Sequence, residues 1–153
     1  MAEPFVPIAR EEGPASLLNA VFVGYMIGTY SVMGKGGAQA ISNMAGEYVG
    51  QEILAYAKSQ GKALDTTDAL GEFLKVNHLV GEIAMVEGPT EVTAQISKCG
   101  ICPKRIGKYQ FDGTACPWGG ILIGALEPIL KRRFSVSARL TPAATCTIVL
   151  KYK

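Results

Sequence analysis

Apolar residues recur at helical spacing in four stretches of the chain, separated by glycine clusters and polar turns. Ser16 is a suitable N-cap for the first stretch, and the glycine-rich residues 34–37 predict that this helix ends before the second begins. The predicted helices run from Ser16 to about Met33, from about Ala38 to Ser59, over a short segment capped by Asp65–Asp68, and from Pro117 to Lys131.

The second predicted helix carries large apolar side chains at three- and four-residue steps, which places them on one helix face. This face predicts the side of the helix that packs on the core. Gly46 and Gly50 lie four residues apart on an adjoining strip and predict close packing against another helix. The predicted apolar face comprises Ile41, Ala45, Val49, Ile53 and Tyr56.

Four other stretches alternate between apolar and polar residues, as half-buried β-strands do. The stretches around Leu79–Met85 and Val92–Ile96 flank a Gly88-Pro89 turn and predict a hairpin. Phe134–Leu140 and Cys146–Tyr152 predict two further strands. The expected order is αααββαββ, which indicates an α+β fold of two layers, with helices on one face of a mostly antiparallel four-stranded sheet. All 153 residues form one predicted domain, with residues 1–13 as an N-terminal arm.

Charge and apolar content exclude some classes of function. The net charge of +2 and the single short basic run, Lys131-Arg132-Arg133, argue against a nucleic-acid-binding protein. No secretory signal pattern is visible near the start, which predicts a cytoplasmic protein. Leu17–Met33 contains no charged residue but is at the short limit for a membrane helix. Because Gly24 and Gly28 allow close helix approach, a buried or dimer-interface helix is favoured over a membrane span.

The four cysteines show a spacing typical of a metal site. Cys99 and Cys102 form a C-x2-C pair, Cys116 precedes the fourth helix, and Cys146 lies on the inward parity of the last strand. A helix start favours thiolate, and four thiolates suit tetrahedral zinc or, alternatively, an iron–sulfur cluster. Cys99 has the parity of the polar face of its strand, which counts against convergence. Structural or redox-active thiols and a disulfide pair therefore remain open alternatives.

No catalytic set can be assembled from the other polar residues, so the sequence favours binding over catalysis. His78 is the only histidine, and its position between a helix and a strand is more typical of a structural role. Trp118, Tyr109 and Phe111 lie near Cys116 in the sequence and, with His78, are candidates for the wall of a ligand pocket; ordinary packing is the alternative.

Three stretches resemble the 4-vinyl reductase domain family, which is related to small subunits of the TRAPP vesicle-tethering complex and, more distantly, to haem-NO-binding domains. They are Ala45–Gly50, Cys116–Leu126 and Cys146–Ile148. The resemblance implies an α+β domain that dimerises through helices and holds a small hydrophobic molecule. In phenol-sensing relatives, cysteines and a glutamate bind zinc. Only Cys116 and Cys146 match those ligands.

These observations lead to three functional hypotheses. The first is a cytoplasmic, homodimeric sensor or binding domain for a small hydrophobic molecule, with a metal site formed by Cys99, Cys102, Cys116 and Cys146. The second is an iron–sulfur or redox protein, or an enzyme, that uses the same cysteines. The third is a scaffold subunit with a stable protein partner, like those of the tethering complex.

Overall fold

The computed structural model describes residues 14–99, 116–135, 139–141 and 145–153, so the predicted arm at residues 1–13 lies outside the described residues. Three helices and an antiparallel sheet make up this part of the chain. The helices are α1 (Pro14–Ser59), α2 (Thr67–Val76) and α3 (Trp118–Leu130), and the strands are β1 (Glu82–Glu87), β2 (Glu91–Ser97), β3 (Arg139–Thr141) and β4 (Thr145–Lys151).

The first two predicted helices are one element, α1, with a kink at Gly34. Gly34 has a φ of 70° and a ψ of −175°, a backbone conformation that is essentially restricted to glycine. The neighbouring Gly36 and Gly37 stay within the helix. The predicted interruption after Met33 is confirmed at Gly34, but it is a kink within one element, so the predicted count of four separate helices is wrong.

The sheet has the strand order β1-β2-β4-β3, with all neighbouring strands antiparallel. Three strands of six or seven residues form its body, and β3 adds only three residues at one edge. The predicted strand from Phe134 is absent at its start, where Phe134 forms an isolated bridge with Tyr152. The backbone N–H of Phe134 instead donates a hydrogen bond to the carboxylate of Glu127 at 2.9 Å. The predicted order αααββαββ is thus wrong, and the predicted four-stranded sheet is reduced to three strands with the three-residue β3 at its edge, whereas the α+β class is confirmed.

The core lies where α2 and α3 meet the buried residues of β2 and β4. Every second residue of β2 from Val92 to Ile96 is buried, which confirms the alternation predicted for this strand. In α2, Thr66 is the N-cap, and its hydroxyl accepts a hydrogen bond from Ala69 N–H at 3.1 Å. All residues of α3 from Trp118 to Leu126 are buried, as its nearly continuous apolar sequence predicts.

Helices α1 and α3 cross in direct backbone contact through two pairs of glycines. A Cβ built onto Gly46 would lie 2.4 Å from the carbonyl oxygen of Pro117, and one on Gly50 would lie 2.2 Å from that of Ile121. A Cβ on Gly120 or Gly124 would likewise lie 2.1 Å from a carbonyl oxygen of α1. No side chain fits at these four positions, so the predicted close packing of Gly46 and Gly50 is confirmed.

This crossing determines which side of α1 faces the core. The buried positions after the kink include Ser42, Asn43, Gly46 and Gly50, whereas most of the predicted apolar face is exposed. Of that face only Ile53 is buried. The predicted orientation of α1 is wrong, because backbone contact requires the narrow glycine side to face α3, which turns the large side chains outward.

We expect Gly124→Ala to destabilise the protein by about 3 kcal/mol, because its Cβ would overlap the backbone of Glu47 and the two helices would have to separate. Gly36→Ala is the matched control. Its Cβ would meet no described atom within 4 Å, so better helix propensity should stabilise α1 by up to ~1 kcal/mol. Urea unfolding at one fixed protein concentration measures both changes, and equal effects of the two substitutions would contradict the crossing.

Candidate functional site

The three described cysteines lie in different surroundings. Cys99 follows β2 and is buried with the apolar core, whereas Cys116 and Cys146 are half-buried. Cys146 lies opposite Ile96 in the register of β2 and β4. No disulfide joins these three residues to one another. Cys102 lies outside the described residues, so the convergence of all four sulfurs stays a prediction.

The cofactor prediction is wrong for the part of the chain that the structure describes. Within it, no group of three or more His, Cys, Asp or Glu side chains could hold a metal ion. Cys99 packs among apolar side chains, as a cysteine does when it acts as a small hydrophobic residue.

The predicted pocket residues that can be located are Trp118 and His78. Trp118 is only 2% exposed and belongs to the core at the start of α3, and its indole N–H has no hydrogen-bond partner in the described part of the chain. His78 is exposed in the turn after α2, with a φ of 59°. Tyr109 and Phe111 lie outside the described residues. A pocket wall shared by these four residues therefore stays a prediction.

An amide side chain of α1 forms a hydrogen bond to the backbone just before α3. Gln39 Nε2 donates to Asn43 Oδ1 at 2.7 Å and to the carbonyl oxygen of Cys116 at 3.2 Å. The N-cap of α3 is Pro117, which supplies no side-chain hydrogen bond. Gln39 thus links α1 to the residue before Pro117, and Asn43 orients the Gln39 amide through its own side-chain oxygen.

The side of α1 that faces away from the crossing carries large apolar side chains that are open to solvent after the kink, followed by the exposed Gln51 and Glu52. Met44 is 69% exposed and Tyr48 is 64% exposed, values that are unusual for large apolar side chains at the centre of a well-formed helix. We call this surface the outer stripe. It comprises Ile41, Met44 and Tyr48, all of which are exposed. Tyr56, further along α1, packs edge-on against Phe73 of α2, with 6.1 Å between the ring centroids.

Before the kink, α1 presents a second apolar surface. Tyr25 is 76% exposed and Val32 is 86% exposed. Beside them lies a groove of about 420 Å³, which we call the glycine groove, lined by Val21, Gly24, Tyr25, Gly28 and Thr29. A Cβ added to Gly24 or Gly28 would meet no described atom within 4 Å.

Despite this apolar surface, no described helix is both long enough and apolar enough to cross a bilayer. The sequence indicated the uncharged segment and the Gly24-x3-Gly28 spacing, but it did not identify the outer stripe as exposed. The signal for that surface was the glycine strip itself, because a helix that packs through Gly46 and Gly50 must turn its large side chains elsewhere.

Comparison with known proteins identifies a family match different from the one expected. The model of the MJ0207 family matches residues 26–152. The protein MJ0207 of Methanocaldococcus jannaschii is 45% identical over 139 residues, which cover 90% of this chain and 90% of that protein. A second protein of the same organism, MJ1342, is 32% identical over 47 residues, or 31% of this chain and 41% of that protein.

These matches overturn the resemblance to the 4-vinyl reductase domain and TRAPP families, and with it the ligand set that the resemblance implied. The residues that carried the resemblance include Gly46, Gly50, Gly120 and Gly124. In this fold those glycines serve the contact between α1 and α3. Close helix crossings require small residues at four-residue spacing in unrelated folds too, so such short motifs are weak indicators of a family.

We expect Gln39→Ala to destabilise the protein by about 1–2 kcal/mol, because it removes the bonds to Asn43 and to the Cys116 carbonyl group. Gln51→Ala, an exposed position on the same helix, should change stability by less than about 0.5 kcal/mol. Urea unfolding of both variants measures the difference. A loss at Gln39 no larger than that at Gln51 would mean that the amide bridge does not stabilise the start of α3.

Proposed function

We propose that this chain, which belongs to the MJ0207 family, is a cytoplasmic homodimeric domain whose two copies pair through α1. The observation that carries the proposal is the outer stripe, a row of large apolar side chains on the side of α1 that faces away from α3. Large apolar side chains on the solvent side of a helix favour a second packing partner. Within the described residues, α3 covers the glycine side.

The exposed large apolar side chains of α1 support an interface along this helix. They lie in two stretches, one before and one after the kink at Gly34. Large exposed apolar surfaces on soluble proteins mark interaction sites. Pairing along the second stretch would remove Met44 and Tyr48 from water.

The chemistry of the surface favours a second copy over a different protein. Leu17–Met33 contains no charged residue, so this part of α1 offers no charge for a partner's ion pairs. An identical apolar helix is complementary to it without burying a charge. A two-fold symmetric pairing, the commonest form of oligomer, also places the same surface on both sides of the interface.

Binding of a small hydrophobic molecule is a second candidate function. It is favoured by the glycine groove, whose volume of about 420 Å³ is that of a small-molecule site and whose lining is mostly apolar. The groove is open on its outer side, so such a molecule would need another wall to be enclosed.

We expect the double variant Met44→Lys/Tyr48→Lys to convert a wild-type dimer to a monomer. Both residues are exposed in the single chain, so the substitutions leave the fold unchanged but would bury four like charges in the dimer. Light scattering coupled to size-exclusion chromatography, over a range of protein concentrations, gives the mass of each form.

The matched control is Val76→Lys at the end of α2, where the valine is 63% exposed and distant in sequence from α1. This variant should remain a dimer. Circular dichroism checks that all forms are folded. A wild-type protein that is monomeric at every concentration would overturn the proposal, and a monomer carrying a stoichiometric small molecule in native mass spectrometry would favour the second candidate.

A further inference from the structure

We infer that the glycine groove is the point where the α1 helices of two copies cross in backbone contact. The inference rests on the proposed homodimer and adds the location and type of the contact. It assigns Gly24 and Gly28 a role between copies that parallels the role of Gly46 and Gly50 within one copy.

The chain itself shows how two of its helices can meet. At the crossing of α1 and α3, glycines four residues apart on one helix lie against glycines four residues apart on the other. Each glycine there approaches a backbone carbonyl oxygen so closely that a Cβ would overlap it. Glycine in a helix costs about 1 kcal/mol relative to alanine, and the close contact between the two helices offsets that cost.

Gly24 and Gly28 repeat the same spacing in α1, yet no described atom lies close enough to explain them. Neither glycine has a positive φ, so backbone conformation does not require glycine at either position. Their Cβ directions open into the groove rather than toward another element. A helix that approaches along this groove is the contact that would use both missing side chains.

The surroundings of the groove identify the approaching helix as a second α1. Val21 and Tyr25 line it and are exposed, and they would pack against the same residues of the other copy around a two-fold axis. The segment contains no charged residue, so two such helices can pack without burying a charge. A small molecule in the groove would keep the two helices apart. The groove can therefore hold either a small molecule or the α1 helix of a second copy, but not both.

The test enlarges the two glycines and measures the dimer dissociation constant by sedimentation equilibrium. We expect Gly24→Leu/Gly28→Leu to raise this constant at least about tenfold, because the added side chains would hold the backbones apart. Gly36→Leu is the matched control at an exposed helical position with no described atom near its Cβ, and it should leave the constant unchanged. Both changes favour the helical state of the monomer, so loss of folding would not mimic the expected result.

The outcomes separate this inference from the proposed homodimer. The added leucines also enlarge the apolar surface, so a contact without close backbone approach would be unchanged or tightened by them. Such a result overturns the crossing at the groove while Met44→Lys/Tyr48→Lys can still show the dimer. A monomeric wild type that binds a small apolar molecule, with binding lost in the double leucine variant, overturns both.

Discussion

Backbone contact between α1 and α3 is the constraint on which the rest of this structure depends. Four glycines let the two helices approach until carbonyl oxygens of one helix take the place that side chains of the other would occupy. The contact positions the buried helix α3 over the sheet and brings the amides of Gln39 and Asn43 to its first turn. Dispersion contacts and excluded water along this crossing replace the side-chain interdigitation of an ordinary helix pair.

The same constraint explains the unusual surface of α1. In most surface helices the large apolar side chains face the core and the polar ones face water. Here the glycine side is turned inward together with Ser42 and Asn43, and Met44 and Tyr48 point outward. The helix therefore has two packing surfaces, one used within the chain and one exposed to solvent. This division links a local packing requirement to the proposed homodimer.

The start of α3 illustrates how site-like features can arise from packing. A cysteine before a glycine-rich apolar helix suggested a metal ligand and a family of zinc-containing sensors. The glycines have a complete explanation in their contact with α1, and Cys99 lies in the apolar core. The family comparison then led to a different group of proteins. Residue types that suit a ligand are informative only when their spacing has no simpler structural cause.

Local sequence signals determined much of the fold. The cap at Thr66, the alternation along β2, the extent of α3 and the need for close packing at Gly46 and Gly50 could all be predicted, because each depends on residues near in sequence. Only the tertiary structure decided which side of α1 faces inward, that the predicted interruption is confined to a kink at Gly34, and that β3 pairs over just three residues. The tertiary structure also decided that the outer stripe of α1 is exposed. These features depend on which elements pack against each other. Such contacts join residues that are far apart in the sequence: Gln39 and Cys116, for example, are separated by 77 positions.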